Sequence, residues 1–209
     1  MSGVAQEERL YPGLNLRRDD PDHKGAEEAV FGFWVFLMSD LILFALLFAT
    51  YVTMLGGEAG GPGPKDLFDI KSAAIETTLL LLSSFTFGMA SLALKHGQHR
   101  ILLLLWLAAT LALGLTFLGF ETHDFITAIA KGGGPSRSGF TSAFFALVGT
   151  HGLHVTFGSI WIAVMMLQVL VFGPDRLGKT RLLRLGLFWH FLDIVWVGIF
   201  SVVYLQGLA

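Results

Sequence analysis

The chain has 209 residues, 54% hydrophobic and 14% charged, with a formal net charge of -2 and a mean hydropathy of +0.66. A soluble domain carries about 25% charged residues, so the deficit assigns much of this surface to lipid, and the near-neutral balance points away from nucleic acid or a polyanionic partner. No cysteine is present, which removes disulfides, iron–sulfur clusters, thiolate copper sites and covalently attached haem and leaves His, Met or carboxylates as the only candidate redox ligands.

Residues 1–30 are polar, "QEERLYPGLNLRRDDPDHKGAEEA" among them, with no apolar core of the kind a secretory signal needs. They are predicted to form a cytoplasmic tail ahead of a membrane domain over residues 31–209. A spanning helix takes about 20 mostly apolar residues, and five segments qualify. The first, "FGFWVFLMSDLILFALLFATYVTML", carries Asp40 and ends in the Gly- and Pro-rich loop "GGEAGGPGPKD". The second runs from Lys71 to Leu94, carries Glu76 and is followed by the basic turn "KHGQHR". The third runs from Ile101 to Ile129, with Glu121, His123 and Asp124 near its end. It stops at "KGGGPSRSG", which lacks the Gly-Lys-Ser/Thr ending of a phosphate loop and reads as a turn. The fourth, from Thr141 to Phe172, contains "FALVGTHGLHV" with His151 and His154. The fifth, from Leu182 to Leu208, contains "WHFLD" with His190 and Asp193. The predicted fold class is all-α: a polytopic membrane protein, a bundle of five transmembrane helices.

Lys and Arg in the connections set the orientation. Arg9, Arg17, Arg18, Lys24, Lys95, Arg100, Arg176, Lys179, Arg181 and Arg184 fall on one side, leaving Lys65, Lys71, Lys131 and Arg137 on the other. The expected N-terminus is cytoplasmic and the C-terminus periplasmic. Trp34 and Trp106 near one set of ends, and Tyr51 and Tyr204 near the other, fit anchors at the membrane interface. Small residues mark faces where helices approach closely: Ser84-x-x-x-Gly88, Thr110-x-x-x-Gly114, and Gly149, Gly152 and Gly158.

An acid at mid-bilayer costs roughly 2.5–3.5 kcal/mol on insertion scales, so these side chains must face protein, water or each other. At 1.5 Å rise per residue, Asp40 lies about 13 Å into its helix, His190 and Asp193 about 12 and 16 Å in from the same side, and His151 and His154 about 15 and 20 Å in from the other. Those five are predicted to share a middle layer, with Glu76, Glu121, His123 and Asp124 in a second layer at the outer rim. His151 and His154 lie about 60° apart on one helix face, as do His190 and Asp193. A carboxylate beside an imidazole fixes its tautomer, which serves a metal's outer shell, a proton path or a polar clamp between helices. Two histidines on one helix turn cannot be both axial ligands of one haem. A bis-His haem would need His190 with His151 or His154 across two helices. The chain also offers no Met or Cys partner at a suitable offset, and hydrogen-bonded packing is the favoured reading.

"SAFFALVGTHGLHVTFGSIW" and "LFWHFLDIVWVGIFSVVYL" resemble the two signature stretches of subunit III of the haem–copper terminal oxidases. "FGFWVFLMSDLILFALLFATY" followed by "GGPGPKDLFD" resembles the five-helix version in bacterial bo-type quinol oxidases. The likeness covers Phe31 to the C-terminus. It implies a non-catalytic, all-helical accessory subunit of the bacterial inner membrane that holds no haem, copper or other cofactor of its own, though bound phospholipid is expected. It also implies a catalytic subunit I that carries haem and copper and pumps protons, with subunits II and IV as further partners. In that family the histidines of the matching motifs are structural, so the resemblance casts His151, His154, His190 and Asp193 as a packing network, which Asp40 joins by its depth. Relatives often read Glu-x-Tyr-Glu where this chain has Glu121, Thr122, His123 and Asp124, so the rim is the part least transferable. The rival expectations are a small proton-coupled transporter, a b-type cytochrome anchor, and subunit III of a cytochrome c oxidase.

Overall fold

The computed structural model describes residues 21–96, 100–172 and 176–205. Among them are five long helices: α1 (Pro21–Thr53), α2 (Ile70–Lys95), α3 (Arg100–Ala130), α4 (Gly139–Phe172) and α5 (Arg176–Ile199). The last continues into a wider π-helical turn, Phe200–Leu205. Each of the five is long and apolar enough to cross a membrane. Helices are the expected solution there, because lipid offers no partner to an unpaired backbone amide.

Two helices start earlier than expected. Pro21 begins α1, where its fixed φ and missing N–H suit the first turn. The apolar span begins only at Glu28. Residues 21–30 of the predicted tail are therefore helical, and residues 1–20 lie outside the described residues. Likewise α5 begins at Arg176 rather than Leu182, so its basic residues ride on the first helical turns. Hydropathy locates the part of a helix that lipid surrounds, not the charged turns that project beyond it.

Both connections at one end of the bundle are tightly built. Asp69 caps α2, its side chain accepting from the Lys71 amide at 2.9 Å. α3 closes on Gly132, which takes φ +82°, while the Gly133 amide donates to the Ala128 carbonyl. This is a glycine C-cap, so "KGGG" is a helix stop. Ser138 and Thr141 then cap α4 reciprocally, each backbone amide donating to the other's hydroxyl at 3.1 Å. The Phe140 amide reaches the Gly57 carbonyl at 3.5 Å, which ties the α1–α2 and α3–α4 connections together.

α2, α3, α4 and α5 close a ring in chain order, each packed on the next and α5 back on α2, while α1 lies outside against α4 and α5. α5 is the central strut: 56% of its most apolar window is buried, against 17% for α1. Two indoles seven residues apart on α5 fill the ring. Trp189 donates Nε1–H to Ser83 Oγ of α2 at 3.0 Å. Its six-membered ring lies in a slot between Gly114 and Gly158, where an added Cβ would come within 2.9 Å of it. Trp196 donates to Thr77 Oγ1 at 3.0 Å and meets Phe117 edge-on at 4.7 Å. Small residues thus open room for indole as well as for backbone. Gly88 and Gly149, by contrast, have nothing near an added Cβ. Spacing marks a small face, but only the fold decides whether a neighbour stands opposite it.

Tyr51 and Tyr204 are correspondingly not lipid-interface anchors. Both are buried, with Tyr51 against Phe140 and Tyr204 against Phe68. The wide final turn of α5 places Tyr204 inside. Trp34 remains half exposed.

Candidate functional site

The ionisable residues of the middle layer come together as two separate groups and one lone ring. Asp40 of α1 is buried and faces His154 of α4, Oδ2 to Nε2 3.3 Å. The other ring nitrogen of His154 lies 2.7 Å from the Thr150 carbonyl. A carbonyl only accepts, so Nδ1 carries hydrogen, and Nε2 is left facing the Asp40 carboxylate in close contact without a formed hydrogen bond. This pair joins the outlying helix to the ring.

The second group joins α5 to α2. His190 Nδ1 lies 2.7 Å from Ser84 Oγ and 3.7 Å from Asp193 Oδ2. Asp193 is buried, whereas the His190 side chain is 46% exposed. His151 stands apart from both, fully enclosed by Phe44, Phe117 and Trp196 at ring distances of 6.4, 6.0 and 5.3 Å. Neither of its ring nitrogens has a hydrogen-bond partner among the described residues. The same holds for any hydrogen bond or ion pair between the Asp40–His154 and His190–Asp193 groups. The sequence marked Ser84 only as part of a small packing face, and nothing short of the fold indicated Ser83 or Thr77 or any of these hydrogen bonds, since single hydroxyls in apolar helices usually bond to their own backbone.

The second layer gathers near the end that holds the paired connections. Glu76 of α2 is wholly buried and has no hydrogen-bond partner for either oxygen among the described residues. Glu121 is buried against Gly152 of α4: both its carboxylate oxygens lie 2.6 Å from where a Cβ would stand. Tyr204 is buried at the same end, against Phe68 and Trp196. His123 points away, its side chain 75% exposed, with Nδ1 3.5 Å from Asp124 Oδ1. Among the described residues no three His, Asp or Glu side chains converge as a metal-binding group.

The family model described as "Cytochrome c oxidase subunit III" matches residues 22–208. The chain belongs to the cytochrome c oxidase subunit III family. It is 52% identical to "Cytochrome bo(3) ubiquinol oxidase subunit 3" of Pseudomonas putida, over 88% of this chain and 89% of that one. It is 47% identical to the protein of the same name in Pseudomonas aeruginosa, over 90% of each. It is 41% identical to "Quinol oxidase subunit 3" of Bacillus subtilis, over 86% of this chain and 88% of that one. The resemblance to the bo-type subunit III therefore holds, and five spans with bacterial relatives make this a multi-pass protein of a bacterial membrane. The two signature stretches noted in the sequence lie on α4 and α5. They supply Gly152, Gly158, Trp189 and Trp196, the residues around which this interior is built.

Proposed function

We propose that this subunit III is a non-catalytic accessory subunit of a bacterial quinol oxidase. It lies in the inner membrane with its N-terminus cytoplasmic and its C-terminus periplasmic. It packs beside a catalytic subunit I that carries haem and copper, with subunits II and IV completing the complex. It stabilises that neighbour while oxygen is reduced to water, coupled to proton translocation in aerobic electron transport. It holds phospholipid and no redox cofactor.

The observation that carries this reading is near-full-length identity of 41–52% to proteins named quinol oxidase subunit 3. The interior agrees with a structural role. The imidazole enclosed most deeply, His151, is walled by aromatic rings, and the ring's central space is filled by indole. The ionisable groups fall into separate clusters, which argues against a continuous proton relay through this chain.

The test is purification of a tagged copy from its own membranes in mild detergent. Co-elution with a large haem-bearing polypeptide, and no Soret band in the separated chain, are expected. Elution alone, or an intrinsic haem spectrum, would overturn the proposal.

A further inference from the structure

Helix α5 keeps one face uncovered. Leu183, Leu187, His190, Ile194, Val197 and Ser201 are exposed, spaced alternately four and three residues apart. At about 100° per residue they form a stripe some 80° wide. Phe191 and Gly198, which meet Phe44 and Phe48 of α1, lie about 100° and 80° to one side of His190. Gly186, which meets Phe87 of α2, lies about 40° to the other. The stripe is thus the floor of a groove between α1 and α2, which have no extensive contact with each other among the described residues.

Helix α4 carries a stripe of the same spacing: Leu153, Phe157, Ile160, Val164, Leu167 and Val171, all exposed. It is wholly apolar, so hydrocarbon alone satisfies it. The α5 stripe differs in its centre. His190 is near the middle of the span Gly178–Leu205, where hydrocarbon offers nothing to a polar atom. Its Nδ1 is engaged by Ser84, and no hydrogen bond to Nε2 is formed among the described residues. Lipid tails cannot meet that need, whereas a polar side chain on a facing helix can.

We infer that the α5 groove seats a transmembrane helix of another oxidase subunit, which presents a hydrogen-bonding side chain at mid-depth to Nε2 of His190. This rests on the oxidase reading above and names the face by which the subunit docks.

The chain has no cysteine, so single cysteines are unique labelling sites. Ile194→Cys and Val197→Cys on the groove, and Ile160→Cys and Leu167→Cys on α4, would carry a benzophenone maleimide and be irradiated in native membranes before purification of the tagged complex. The groove positions are expected to yield an adduct with a second oxidase polypeptide, identified by peptide mass spectrometry, and the α4 positions lipid adducts. His190→Leu should lose the adduct and His190→Gln retain it. Groove adducts with lipid alone or with a second copy of this chain, or equal polypeptide adducts from α4, would overturn the inference even where co-purification with the haem-bearing subunit stands. Failure to co-purify would instead strike the proposed function.

Discussion

Asp40 and Glu76 are both carboxylates buried within apolar helices, and their neighbours differ in kind. Asp40 faces an imidazole from another helix at 3.3 Å. Glu76 has no hydrogen-bond partner for either oxygen among the described residues and shares its end of the bundle with two further acids, Glu121 and Asp124. At mid-depth an unpaired ion is costly and a carboxylate–imidazole pair holds helices together. The rim acids gain no such attraction from each other. They are held where they are by packing, Glu121 against the space that Gly152 leaves and Glu76 wholly buried on α2. One region is joined by its polar groups; the other is joined despite them.

The largest expected effect falls on the packing of the second region. Gly152→Leu drives a side chain into the Glu121 carboxylate, and overpacking of a close contact costs about 3 kcal/mol. Titration of the purified protein with SDS should show that loss. Glu121→Ala removes the obstruction and should restore part of the stability in the double variant. Full stability of Gly152→Leu alone would mean the acid is not confined as described.

The first region breaks differently. Asp40→Leu leaves His154 Nε2 unpaired inside the protein, at a cost of about 2 kcal/mol. His154→Leu should cost a similar amount, and the double variant less than the two together, with a coupling of about 1 kcal/mol. SDS titrations of all four proteins measure it. Strict additivity would show that the pair does not hold α1 to α4.

How far this contrast was visible beforehand depends on what a side chain reports about its surroundings. Number and place of the spans follow from hydropathy, because lipid requires a long apolar helix of any segment that crosses it. The pairing of Asp40 with His154 and of His190 with Asp193 was open in the sequence, since helix rise places each of them at a similar distance along its helix. Partner choice does not: Ser84 and His190 are 106 positions apart, and nothing local in either helix announces the other. Gly158 and Gly88 look alike in sequence, yet one frames an indole and the other faces open space. Tyr51 and Tyr204 stand near helix ends, where tyrosine often meets headgroups, but the paired connections and the final turn of α5 fold over them. Local chemistry sets what a residue needs, and the topology decides which neighbour meets the need.

The smallest expected effect separates the two regions most cleanly. Glu76→Gln keeps the size of the side chain and removes its capacity for charge beside Glu121 and Asp124. Replacing a buried ionisable group that has no hydrogen-bond partner is neutral or stabilising, here by about 1 kcal/mol. The same neutral replacement at Asp40, Asp40→Asn, removes the acid that faces His154 and should destabilise. Melting of the purified complex compares the two directly: the midpoint should hold or rise for Glu76→Gln and fall for Asp40→Asn. A fall of equal size in both would mean that Glu76 has an attractive partner after all, and that the rim and the middle of the bundle are built on one principle rather than two.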